Sequence, residues 1–224
     1  MDRTRLRVSR GLLQGHGLEI GALHWPLPVP RGATVSYVDR FDVDGLRAHY
    51  PELADKPLVA VDVIDDGETL ATQADASQDF IIANHFLEHT EDPIRTIENH
   101  LRVLRPGGHL YLAVPMKDAT FDAQRTVTPL AHLLSDHADG PERSRRLHYE
   151  EWARQVDKVP EGELDAKVAE LLEQNYSIHF HVWDEPAFLA FIDHLQNELG
   201  LPMRTVRTQR NRHELIVIAE KVSS

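Results

Sequence analysis

The chain has 224 residues, 42% of them hydrophobic, which is enough to bury one full core without a second domain. Its formal charge of −12, from 36 acidic against 24 basic side chains, argues against nucleic acid as a partner, because phosphate binding needs a cationic surface. The lack of cysteine excludes disulfides and thiolate zinc sites. With neither a charged-then-apolar leader nor a bilayer-length apolar run, no membrane partner and a cytoplasmic location are expected.

In chain order, Leu18-Glu19-Ile20-Gly21 reads as a strand that turns at glycine, and Val38-Asp39 as the end of the next strand. Gly21 permits a sharp turn and a close ligand approach, while Asp39 can accept both hydroxyls of a ribose. Glu19 lies in an apolar run, where a carboxylate is costly unless a cation or a hydrogen-bond donor meets it. A ligand ammonium or a buried lysine is therefore implied. The alternative for both acids is local: a helix cap and an ordinary turn. The segment continues Ala22-Leu23-His24-Trp25-Pro26, and prolines at 26, 28 and 30 stiffen it. His24 and Trp25 either pack within this loop or face an acceptor.

Leu58 to Ile64 forms the next strand, ending at Asp65-Asp66. Asp79 to His85 reads as a buried strand that finishes in the polar pair Asn84-His85. After Leu87-Glu88-His89, Asp92-Pro93 opens a helix whose Ile94, Ile97, Leu101 and Leu104 recur at helical spacing. Arg105-Pro106-Gly107-Gly108 stops it, and His109 to Val114 is another strand. Residues 117–183 break into helical patterns at 130–138, 142–156 and 163–174, separated by proline and glycine. Glu185 to Leu199 is an amphipathic helix, and 203–208 and 214–220 are two strands joined by the polar turn 209–213.

These motifs, in this order over residues 15 to 116, resemble the class I S-adenosylmethionine-dependent methyltransferases. The likeness is to the large group with a Leu-Glu-His segment and a Leu-Arg-Pro-Gly-Gly turn. The resemblance implies an α/β fold: a Rossmann-like seven-stranded sheet with helices on both faces, closed by an antiparallel hairpin. Residues 1–224 would form one methyltransferase domain with 117–183 as a helical lid inserted after the fifth strand. A homodimer interface is the other use for that insertion. The resemblance further implies S-adenosylmethionine as cofactor. Glu19, Gly21 and Ala22 would stand at its methionine end, Asp39 at the ribose, Asp65 or Asp66 at the adenine, and Asn84 and His85 on the floor.

Fourteen histidines is a high count for this length. His179 and His181, two residues apart in an extended segment, share a face and suit a metal pair or a base with its orienting partner. His89 reads as a capping or packing residue at its turn. A magnesium site would need oxygen ligands, for which Asp118, Asp122 and Asp136 are available, but no spacing singles them out. Methyl transfer to an alcohol requires a general base, and the candidates are His85, Asp118, His137, His148 and His179. At least two of the five histidines 85, 137, 148, 179 and 181 should line the acceptor cavity. Histidines beside Tyr149, Trp152, Tyr176, Phe180 and Trp183 suit a polar, ring-shaped acceptor. O-methylation of a saccharide or similar small molecule is the leading expectation, and the chain looks like stand-alone bacterial sugar methyltransferases, including those of methylmannose polysaccharides. N-methylation of a small amine and a non-catalytic methyltransferase-like binding protein are the alternatives.

Overall fold

The computed structural model describes residues 3–223. Among them seven strands form one sheet in the order β3-β2-β1-β4-β5-β7-β6. They are β1 (Gly15–Ile20), β2 (Ala33–Asp39), β3 (Val63–Ile64), β4 (Gln78–Asn84), β5 (Leu104–Pro115), β6 (Met203–Asn211) and β7 (Glu214–Lys221). Strands β1 to β5 pair in parallel, and β7 runs antiparallel to both of its neighbours.

Alternation along the strands divides the core between two faces. Leu18, Ile20, Ile81, Ala83, Leu110 and Leu112 pack against α3 (Pro93–Val103) and α7 (Glu185–Asn197), which bring Ile94, Ile97, Leu101, Phe188, Phe191 and Leu195. Phe80, Ile82, Tyr111, Ala113, Ile216 and Ile218 face the other way, onto Val8 of α1 (Arg3–Ser9), Leu13 and Leu27. Because β4 is covered on both sides, its Phe80 to Ala83 run is apolar without a break. Asp92 caps α3, accepting from the Arg95 N–H at 2.9 Å, with Pro93 in the first turn where its missing N–H costs nothing.

The β1–β2 crossover, residues 21–32, is a loop without a helix, and its Leu27 and Val29 cover the sheet. Two details differ from the sequence expectation. The strand expected over 58–64 keeps only Val63–Ile64 in the ladder. Val59 donates instead to the Leu23 carbonyl of the loop at 2.8 Å, and the Asp62 carboxylate accepts from Tyr37 N–H. Finally, Arg105 to Gly108 do not separate helix from strand. Gln78 pairs with Leu104 and Phe80 with His109, so the four residues bulge out within β5, with Gly107 at φ +80°.

Residues 117–183 carry α4 (Leu130–Asp139), α5 (Glu142–Gln155) and α6 (Leu164–Glu173). The α5–α6 pair has its own core of Tyr149, Trp152, Val168, Leu171, Ile178 and Phe180. Backbone bonds fasten the segment to the sheet: Phe180 N–H donates to Glu88 O at 2.7 Å and Lys117 N–H to Trp183 O at 3.0 Å. No described helix is long and apolar enough to cross a membrane.

Candidate functional site

Strand β1 has β2 on one side and β4 on the other, so the connections leave in opposite directions and open a crevice at the carboxyl ends of the strands. A cavity of about 420 Å³ lies there. Its wall holds Ile20, Gly21, Asp39 and Arg40 from β1, β2 and their loops, Asp66 to Glu68 after β3, and His85, Phe86 and His89 after β4. Leu23, then Tyr50, Glu52 and Leu53 after α2 (Val43–His49), and residues 175–177 complete it.

Gly21 turns off β1 in a left-handed conformation, φ +61°, held by its N–H to Val38 O at 3.0 Å. Only the edge of Phe86 comes within 4.0 Å of where a Cβ would stand, so the backbone here is open to the cavity. Asp39 accepts from Arg40 N–H at 2.8 Å, and burial raises its pKa against the lowering effect of that bond. Asp66 accepts from Glu68 N–H at 2.7 Å. Glu68 is pushed up to about 7 by burial and by the neighbouring charges of Asp66 and Glu91. Asp39, Glu52, Asp66 and Glu68 against Arg40 make an acidic cavity, the complement of a ligand bearing ammonium or sulfonium charge.

Glu19 has no exposed surface and lies beneath this wall. Neither a lysine nor an open route to a ligand ammonium meets it. Both carboxylate oxygens accept from Leu27 N–H, at 2.8 and 3.1 Å, and Asn84 Nδ2 donates at 3.2 Å. The acid expected to meet a ligand ammonium or a buried lysine instead holds the proline-rich loop back over the sheet. Burial raises it to about 7 despite those donors. Asn84 is thus occupied below the cavity, and Ala22 is buried beside it. Asp65 also points away, accepting from Thr72 N–H at 2.9 Å and Thr72 Oγ1 at 2.6 Å.

Of the five histidines expected at an acceptor cavity, one, His85, reaches the wall; the other histidine there is His89. His85 sits at the tip of β4 with φ +47°, its N–H tied to Ala113 O at 2.8 Å. Its Nε2 lies 2.9 Å from Glu214 Oε2 and its Nδ1 3.7 Å from the buried Glu88 carboxyl. Burial lowers the His85 pKa, but the bond to Glu214 and the charges of Glu88 and Glu214 outweigh it, and the net shift is upward. Glu214 is buried too, yet Arg5, His85 and Asn211 hold its carboxyl far below the usual range. His89 has the opposite character. Burial and the nearby His179 push it down to about 3, and its Nδ1 faces Ile178 O at 2.9 Å.

The remaining candidates lie elsewhere. His179 and His181 part company: His179 Nδ1 meets Asp122 Oδ2 at 2.6 Å, while His181 turns toward His132 and His148. His137 pairs with Asp92 at 3.0 Å, and His148 Nε2 faces His132 Nε2 at 3.0 Å. Asp118 is 73% exposed and pairs with Arg210. Asp118, Asp122 and Asp136 each have a different partner and do not converge. Tyr149, Trp152, Phe180 and Trp183 are core residues, leaving Tyr176 as the one ring of that set in the wall, beside Tyr50 and Phe86. Trp25 packs against little, being 72% exposed. Glu68, Tyr50 and Glu214 carry no sequence signal, since each reaches the site through tertiary contacts.

A methyltransferase-domain family model matches residues 29–159, more than half of the chain. A search of curated proteins finds no match. Among solved structures, a Rhodobacter sphaeroides protein described as a candidate Zn-dependent alcohol dehydrogenase superposes with a TM-score of 0.57 at 15% identity, over 99% of this chain and 89% of that one. A Thermotoga maritima SAM-dependent methyltransferase, described as a candidate histamine N-methyltransferase, gives 0.52 at 13% identity, over 97% and 87%. A SAM-dependent methyltransferase from Aquifex aeolicus gives 0.49 at 15% identity, over 95% and 85%. At such identities the first two likenesses speak for the fold alone, and the family rests on the sequence match. The chain belongs to the methyltransferase-domain family and is a class I S-adenosylmethionine-dependent methyltransferase.

Proposed function

We propose that the chain methylates a hydroxyl of a saccharide or similarly polar small molecule, with His85 as general base. The observation that carries this reading is His85 in the cavity wall with its Nε2 2.9 Å from the Glu214 carboxylate. S-adenosylmethionine supplies a methyl carbon made electrophilic by its sulfonium. The chain has to align an acceptor oxygen with that carbon and take the hydroxyl proton. A carboxylate accepts, so the Nε2 proton of His85 points to Glu214 and Nδ1 is the basic atom. The left-handed backbone of His85 fits a residue held in place for function rather than for stability. On this reading Asp39 accepts the ribose hydroxyls, Asp66 stands at the adenine, and Gly21 and Ala22 let the methionine end approach. Glu19 and Asn84 hold that loop from below. Residues 117–183 act as the acceptor-side cover of one domain, contributing Tyr176 and Ser177 to the wall.

Labelled cofactor offered with separate panels of hydroxyl and amine acceptors tests the reading. Label is expected in a sugar or polyol hydroxyl. His85→Gln should cut kcat by about 100-fold or more, with S-adenosylhomocysteine affinity nearly unchanged by calorimetry. Asp39→Ala should abolish that affinity. Label in amines alone, with His85→Gln fully active, would overturn the base assignment and favour the second reading, a small amine. That reading is supported by the acidic charge of the chain, −12, which tolerates a cationic acceptor. No binding of either cofactor form would leave a non-catalytic binding protein.

A further inference from the structure

We propose that His132, His148, His181 and Asp136 form a site for one divalent transition-metal ion of the zinc class, separate from the cofactor cavity. None of the four lines that cavity. His132 and Asp136 are one turn apart on α4 and so share a face, with His132 Nε2 3.0 Å from Asp136 Oδ2. His148 comes from α5, its Nε2 3.0 Å from His132 Nε2 and 3.9 Å from Asp136 Oδ2. His181 arrives from the segment returning to the sheet. One nitrogen from each of the three imidazoles lies within 4.8 Å of the others.

The orientation of His181 points to a ligand. Its Nε2 donates to the Glu91 carbonyl at 3.2 Å, which places the proton there and leaves a lone pair on Nδ1. Nδ1 is buried with no hydrogen-bond partner, on a residue only 1% exposed. An imidazole whose second nitrogen is fixed by a backbone carbonyl is the usual arrangement of a metal-bound histidine. Ser144 Oγ donates at 2.9 Å to the same Asp136 Oδ2 that faces the histidines, which fixes the orientation of the carboxylate.

Three imidazoles and one carboxylate, with no thiolate in the chain, suit zinc and its divalent neighbours rather than magnesium. A second histidine group, His85, His213 and Glu214, is a poorer site because Arg5 and Asn211 already occupy Glu214. An ion held by four protein ligands closes its coordination sphere, which is the structural form of a zinc site. It would brace α4, α5 and the 178–183 segment against the Glu88 to Glu91 turn.

The test uses the full chain without an affinity tag, dialysed against chelator and titrated with Zn²⁺ by calorimetry and with Co²⁺ by visible absorption. One ion per chain is expected, with the strong d–d bands of four-coordinate cobalt and a raised Tm. Half-exposed His132 allows a variant that keeps the fold. His132→Ala and His148→Ala should each weaken binding by about 10–100-fold or more. His213→Ala should leave binding intact. The wild-type cobalt spectrum decides the matter even if the His148 variant fails to fold. No stoichiometric binding, an octahedral cobalt spectrum, or binding that survives His132→Ala but falls with His213→Ala would each overturn the proposal.

Discussion

His85 and Glu214 come together across 129 residues of sequence and set the protonation of the cavity floor. A base works unprotonated, and the His85 pKa lies above 6.5 because the Glu214 bond and nearby carboxylates outweigh burial. The rate should therefore rise with pH through a midpoint above 6.5 and then level off. Glu214→Gln removes the charge that holds the midpoint up, so the ascending limb should move to lower pH. Parallel pH–rate profiles of the two proteins check this, and an unmoved midpoint removes His85 from the role. Glu19 makes a different prediction. Its pKa of about 7 in the fold exceeds the ordinary 4.5, so between those values the folded chain keeps a proton that the unfolded chain has lost. Stability must then fall as pH rises across that window, by up to about 3 kcal/mol. Glu19→Gln should be the more stable protein near about pH 8, by roughly 1–3 kcal/mol, and nearly equal near about pH 5, as read by urea denaturation at both.

Among the elements, the 117–183 segment depends on one buried cation. Arg125 donates to Asp122 at 2.9 Å, to the His179 carbonyl at 2.8 Å and to Glu151 at 2.8 Å, joining the start of the segment, its return limb and α5. Arg125→Met removes a buried donor from Asp122, which keeps only His179, and from Glu151 and the His179 carbonyl, and should cost about 3–5 kcal/mol, measurable by denaturant melting, with new protease cuts inside 117–183. Strong local signals made several elements legible. The Phe80 to Ala83 run could only be a strand covered on both faces, Asp92-Pro93 caps and opens α3, and the polar turn before Glu214 marks the final hairpin. Weaker stretches failed where a long-range partner competed. Val59 was apolar enough for a strand, yet its N–H goes to Leu23 of the loop, leaving two residues in β3. The bulge at Arg105 to Gly108 was also hidden, because register with Gln78 belongs to the neighbouring strand.

For the whole molecule, the sheet order and the acidic crevice at its reversal point position everything else. Asp39, Asp66 and His85 reach the cavity wall, whereas Asp65, Asn84 and Glu19 turn to Thr72, Glu19 and Leu27. No local pattern separates these outcomes, since adjacent residues at a strand tip point opposite ways and one step of register decides which is open. The same holds for the histidines, whose spacing paired His179 with His181 although packing sends them to separate clusters. By itself the sequence determined the apolar periodicities, the capping and turn residues, and hence the α/β class and its family. Those signals are local and survive without knowledge of neighbours. Which acids face the cavity, the Glu214 partner of His85 and the convergence of His132, His148 and His181 were decided by the tertiary structure alone, because each contact joins residues whose proximity exists only after the sheet has closed.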